Sequence, residues 1–153
     1  MKRLAILMAV AGIVAGGAVV AQDAPFGMQI KARQGMMAYR ALNIGVLAGM
    51  AKGEVPYDAA AAQKAADNMA AMNGVDASML WPPGSGNSAN PASTATDAMW
   101  ADGSDIMAKH MAFVDAVTAM QAAAGKDLDS LKAAIGPLGG ACGDCHKAFR
   151  VQN

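Results

Sequence analysis

Apolar side chains recur at intervals of seven residues in two well-separated stretches of this chain. The first row is Ile30, Met37, Ile44 and Ala51, with Ala41 and Ala48 at the intermediate positions, and the second is Leu128, Ile135, Cys142 and Phe149. A heptad repeat places its members on one face of an α-helix, and that face has to pack against other helices. The chain also carries 13 methionines and only 5% aromatic residues. The pattern therefore predicts an all-α protein in which each helix buries one stripe.

Local start and stop signals divide the chain into four helical stretches. We expect helices over about 27–50, from the N-cap Asp58 to Gly74, from about Ser104 to Gly125, and from Asp127 onward. Pro137 and its neighbouring glycines are expected to interrupt and kink the last helix, because proline removes a backbone hydrogen bond.

One long connection separates the second and third helical stretches. The segment 75–103 contains Trp-Pro-Pro-Gly and Asn-Pro runs, so no helix is expected there. A connection of this length suggests a crossover from one end of a helical bundle to the other. Trp81 and Trp100 are interpreted as anchors of this loop in preference to cofactor contacts.

The N-terminus has the pattern of an export signal. A short basic start, Met1-Lys2-Arg3, is followed by 17 uncharged residues and then by Val19-Val20-Ala21. This pattern predicts a signal peptide over residues 1–21 that is cleaved after Ala21. A permanent membrane anchor is the alternative, but 17 residues rich in Gly and Ala are short for a bilayer span. We expect a single domain over 22–153, located in the periplasm and not inserted in the membrane.

Charge and motif content exclude several classes of function. The 12 basic and 12 acidic residues balance, and no basic run follows the first three residues, so nucleic acid is not an expected partner. We find no Ser/His/Asp set, no paired carboxylates and no phosphate-binding glycine loop. The sequence gives no support for an enzyme.

The chemistry of the chain is concentrated in Cys142-Gly143-Asp144-Cys145-His146. Cys142 belongs to the apolar row of the last helix, and Cys145 belongs to a second row of that helix, together with Leu131 and Leu138. Both thiols should therefore face the bundle core. C-x-x-C-H is the attachment signature of a c-type haem. The two thiols add to the haem vinyl groups as thioethers, and His146 binds the iron through a ring nitrogen.

Three other interpretations of this motif remain open on the residues alone. A thioredoxin-like dithiol is disfavoured because the motif lies near the end of a helix and not at the start of one. A zinc site would need a fourth ligand, and His110 is the only other histidine. We interpret His110 as a packing or surface residue. A disulfide would leave His146 without a role.

Together these motifs make the chain similar to the class II cytochromes c, the family of cytochrome c prime and its low-spin relatives. The resemblance covers nearly all of 22–153. It rests on Cys-x-x-Cys-His followed by Phe149-Arg150, on the pair Arg33-Gln34, and on the segment Lys52-Gly53-Glu54-Val55-Pro56-Tyr57-Asp58.

The resemblance implies an antiparallel up-down-up-down four-helix bundle with one haem c in the core near the C-terminal helix. It places Arg33 near the haem propionates, counts Gln34 and Arg150 among the cofactor-binding residues, and puts Met37 on the iron face opposite His146. It also implies redox proteins as partners and a homodimer through the first two helices, where an Ala-rich second helix would permit close packing.

Whether Met37 binds the haem iron as its sixth ligand decides between two functions. If the Met37 sulfur binds, the haem is low-spin and suits one-electron transfer, which we favour. If Met37 only shields the iron, a high-spin haem would bind NO or CO. Met36 is the weaker ligand candidate because it points about 100° away on the helix.

Overall fold

Four α-helices form the framework of the protein. The computed structural model describes residues 24–152 of the chain. The helices are α1 (Gly27–Lys52), α2 (Ala59–Asn73), α3 (Ile106–Ala123) and α4 (Leu128–Phe149). α1 packs on α2 and α4, and α3 packs on α2 and α4, so each helix has two neighbours. The all-α four-helix prediction is confirmed.

Side-chain caps fix where two of these helices begin. The Asp58 carboxylate accepts hydrogen bonds from the backbone N–H groups of Ala60 and Ala61, at 2.9 and 3.0 Å. The Asp127 carboxylate accepts from the N–H of Ser130 at 2.7 Å. These bonds satisfy amides that have no partner within the first turn. Both starts lie where the sequence predicts them.

The core is built from aliphatic, methionine and alanine side chains of all four helices. Its buried members are Leu47, Met50, Ala62, Ala65, Ala66, Met69, Phe113, Val117, Met120, Ala124, Leu131 and Leu138. Ala62, Ala65 and Ala66 of α2 therefore pack inside the monomer, where their small side chains let α1 and α3 approach. The homodimer through the first two helices stays a prediction.

The inward face of α1 differs from the predicted stripe. Ala41 is exposed and Ala48 is half-buried, whereas Arg33 and Leu47 are buried. The assignment of Ala41 to the core is wrong. Arg33 and Arg40 occupy the inward positions instead, and a stripe defined by apolar residues alone misses them.

Two expectations about irregular backbone also need correction. α4 continues through Pro137 without interruption. Pro137 is exposed, and so is Ala133, whose carbonyl loses its helical partner there and can bond to water. The long connection contains two short 3₁₀ turns, Ser78–Leu80 and Asp97–Trp100, although no α-helix. Trp100 Nε1 donates to the Trp81 carbonyl at 3.3 Å, which fits the two tryptophans as loop anchors.

Within residues 24–152, no helix has the length and apolar character needed to cross a membrane. The predicted signal segment 1–21 lies outside the described residues.

Candidate functional site

The C-terminal half of α4 brings together the three residues of the C-x-x-C-H motif. Cys142, Cys145 and His146 are all half-buried, and Cys142 packs against the hydrophobic core. The two cysteines are three residues apart on a helix, so their side chains lie on the same side. Both are free thiols and are not joined in a disulfide.

Burial shifts the pKa values of Cys142, Cys145 and His146. It raises the pKa of both thiols, Cys142 and Cys145, above the usual value. Burial, followed by the nearby charge of Arg150, lowers the pKa of His146. The imidazole is therefore neutral near pH 7 and has a free ring nitrogen, which is the form that binds a metal. Two thiols and a neutral imidazole on one helical turn are the donor set that a covalently attached haem requires.

The end of α4 is clamped by the crossover loop. Ala95 and Arg150 form an isolated antiparallel bridge. The Thr96 N–H donates to the Phe149 carbonyl at 2.9 Å, and the Val151 N–H donates to the Thr94 carbonyl at 2.8 Å. These bonds fix the helix end that carries His146. Sequence reasoning missed the clamp, since backbone bonds between distant segments leave no residue pattern.

The inward face of α1 supplies a second wall of the site. Met37 is half-buried there, and Met36 is half-buried as well. Arg40, one turn beyond Met37, places its Nη1 3.9 Å from the Met37 Sδ. The pKa of Arg40 is lowered mainly by burial, and the neighbouring Cys142 thiol opposes this shift. The Arg40 side chain therefore contacts Met37 and lies near Cys142 on α4. Sequence reasoning missed Arg40, although its spacing of three from Met37 was a usable signal.

Arg33 and Gln34 bind the crossover loop. Arg33 is only 3% exposed, and its guanidinium donates to the Ser85 Oγ, Ser85 carbonyl and Ser93 Oγ at 2.8, 2.6 and 2.6 Å. It also lies 4.7 Å from the centroid of the Trp81 ring. Gln34 Nε2 donates to the Ala92 carbonyl at 2.8 Å. The role of Arg33 and Gln34 beside a haem stays a prediction.

The remaining predicted residues lie at the surface. Arg150 is exposed, directly after the end of α4, and His110 is exposed on α3. The exposure of His110 agrees with its interpretation as a packing or surface residue.

Residues 28–150 match the profile of the family described as Cytochrome C'. The chain belongs to this family, the class II cytochromes c. It is 43% identical over 123 residues to a cytochrome c' of Cereibacter sphaeroides, covering 80% of this chain and 83% of the relative. It is 42% identical over 135 residues to cytochrome c-554 of the same organism, covering 88% of each.

Solved structures of family members have the same fold. A cytochrome c' from Rhodobacter Spheriodes superposes with a TM-score of 0.81 at 41% identity, over 84% of this chain and 98% of that one. A nitric oxide complex of a cytochrome c prime mutant from Alcaligenes xylosoxidans gives a TM-score of 0.70 at 30% identity, over 81% and 94%. The family binds one covalent haem c, so the predicted cofactor is confirmed.

Proposed function

We propose that the protein carries single electrons, with His146 and Met37 as the two axial ligands of its haem iron. The observation that carries this proposal is the position of the Met37 thioether. It is half-buried on the face of α1 that is turned into the bundle, and its sulfur contacts Arg40, which lies near Cys142 on α4. The Met37 sulfur and the Cys142 end of the attachment helix therefore both lie close to Arg40.

The residues of this chain have distinct parts in the proposal. Cys142 and Cys145 hold the cofactor covalently, and the neutral imidazole of His146 gives one ligand nitrogen. The clamp between the crossover loop and the end of α4 keeps His146 in place, while Met37 reaches in from a packed helix. The haem supplies an iron that alternates between its ferric and ferrous states, and a Met/His ligand pair raises its reduction potential. Ligands on packed helices need little rearrangement when the iron changes charge. Redox proteins are the partners, and the proposal contains no catalytic step.

A second candidate function is the binding of NO or CO at a five-coordinate iron. It is favoured by the nitric oxide complexes of Alcaligenes xylosoxidans cytochrome c prime, to which this chain is 30% identical. In that case Met37 covers the iron face sterically and leaves the sixth position open to a small gas.

Visible spectra of the oxidised and reduced holoprotein test the choice. We expect a low-spin wild type, and we expect Met37→Ala to become high-spin, to lose reduction potential and to bind CO faster, because the soft sulfur ligand is gone. Met36→Ala is the matched control, since Met36 is its half-buried neighbour, and it should remain low-spin. A wild type that is already high-spin near neutral pH refutes Met37 ligation and favours gas binding.

The proposal includes export to the periplasm and removal of residues 1–21. Support comes from the basic and then apolar start of the sequence. N-terminal sequencing of the holoprotein from a periplasmic extract should begin at Gln22. A protein that keeps residues 1–21 and sediments with membranes would contradict cleavage.

The proposal also includes a homodimer through the outer face of α1. Leu42, Val46 and Val55 are 65%, 38% and 47% exposed, and they line a shallow groove of about 550 Å³ with Gly45 and Gly49. Exposed apolar patches of this kind are typical of interfaces. Sedimentation equilibrium of the holoprotein should give a dimer that Leu42→Glu dissociates. Met107→Glu, at an equally exposed site on α3, should leave it intact.

A further inference from the structure

Arg40 is a half-buried cation on the inward face of α1, and it has no carboxylate partner among the described residues. Within residues 24–152 the ion pairs are Lys52 with Glu54 and Lys109 with Asp105. Arg40 instead places Nη2 3.3 Å from the Asn73 Oδ1 and stacks its guanidinium 4.9 Å from the centroid of the Phe113 ring. Its Nε is buried and has no hydrogen-bond partner.

This arrangement is costly for the protein alone. A buried guanidinium is normally paired with an anion, because an amide oxygen and an aromatic face replace only part of its hydration. The Cys142 thiol near Arg40 is neutral, because burial raises its pKa, and haem attachment converts its sulfur into a thioether that is neutral as well. The mature protein therefore keeps the Arg40 cation without an ion-pair partner among the described residues.

The N–H donors of the Arg40 guanidinium differ in how well they are satisfied. The Phe113 ring covers one face of the guanidinium, and the Asn73 Oδ1 accepts a hydrogen bond from Nη2. Nη1 has only the weak thioether acceptor of Met37, and Nε has none. The unpartnered Nε–H is a charge-assisted donor, and such donors bind the oxygen of a carboxylate or another oxyanion.

We propose that Arg40 is an anion-binding residue of the haem site, and that its Nε–H donates a hydrogen bond to an anionic oxygen. Two sources supply this chemistry, a carboxylate of the haem itself and a small oxyanion that enters beside Met37. The inference rests on the proposed haem site, and it does not depend on whether Met37 binds the iron.

Nitrite binding to the ferric holoprotein tests the small-oxyanion source. The Met37→Ala background is used so that the sixth position is open under either proposed function. We expect optical titration to show nitrite affinity falling tenfold or more when Arg40→Met is added, because charge-assisted hydrogen bonds are lost. Arg40→Lys should recover part of the affinity. Lys31→Met removes an exposed cation from the same helix and should leave the affinity unchanged.

Resonance Raman spectra of the same samples test the haem carboxylate. If it is the partner, Arg40→Met should shift the propionate bending band while nitrite affinity stays constant, and Lys31→Met should shift nothing. The proposal is overturned if Arg40→Met matches Lys31→Met in both measurements. Covalent haem content is read first in these samples, and spin state is read in the parent protein with Met37 intact, so failure of haem attachment or of Met37 ligation is seen separately. Arg40→Gln provides the same readouts if Arg40→Met does not fold.

Discussion

Replacing Arg33 by methionine should destabilise the protein strongly. The guanidinium is 3% exposed and donates three hydrogen bonds of 2.6 to 2.8 Å to Ser85 and Ser93 of the crossover loop. Methionine keeps much of the apolar stem but supplies no donor. Both Ser85 acceptors then lose this donor, and Ser93 Oγ keeps only the Ala95 N–H at 3.2 Å. The stacking on Trp81 is lost as well.

The expected cost follows from these groups. Each buried acceptor left without a donor costs about 1–3 kcal/mol, and partial relaxation of the loop offsets some of it. The two Ser85 acceptors left without a donor and the lost stacking on Trp81, less the relaxation of the loop, give about 3–5 kcal/mol for Arg33→Met. For a domain of this size that corresponds to a fall in Tm of roughly 12–20 °C.

Thermal and urea unfolding of the holoprotein measure this effect. Lys31→Met is the matched control, because it removes an exposed cation from the same helix, and it should change stability by less than about 0.5 kcal/mol. The reasoning is refuted if Arg33→Met costs less than about 1 kcal/mol. A changed reduction potential with nearly unchanged stability would instead favour the role beside the haem propionates that the family resemblance implies.

Three further predictions concern stability. Changing both Cys142 and Cys145 to alanine should give a loosely packed, partly helical chain without haem, because the cofactor fills core space; near-native melting by circular dichroism would contradict this. Leu131→Ala, at a fully buried position, should cost about 2–5 kcal/mol in urea unfolding, whereas the exposed Val75→Ala should cost little. Backbone hydrogen bonding lowers the pKa of the Asp127 carboxyl, so its stabilising cap is present above the ordinary carboxyl pKa and is lost as the pH falls through the lowered value. Asp127→Asn should therefore lose less stability in acid than the wild type, and equal losses would refute this.

The sequence by itself determined the features that depend only on residues a few positions apart, namely the helix starts and the haem motif. Helix starts at Asp58 and Asp127 are set by a carboxylate and the amides two or three residues later, so local spacing predicts them. The haem motif is equally local, because Cys142, Cys145 and His146 share one turn of a helix. These features need no knowledge of what packs against them.

Only the tertiary structure decided which side chains of α1 face inward. Ala41 is more apolar than Arg33, yet Ala41 is exposed and Arg33 is buried. The reason is that Ser85 and Ser93, some 50 to 60 residues further along, bring oxygen acceptors over Arg33 and offset the cost of burying its charge. The clamp between Ala95 and Arg150 and the unpaired cation of Arg40 have the same origin. Each depends on groups distant in sequence, which a local pattern cannot register.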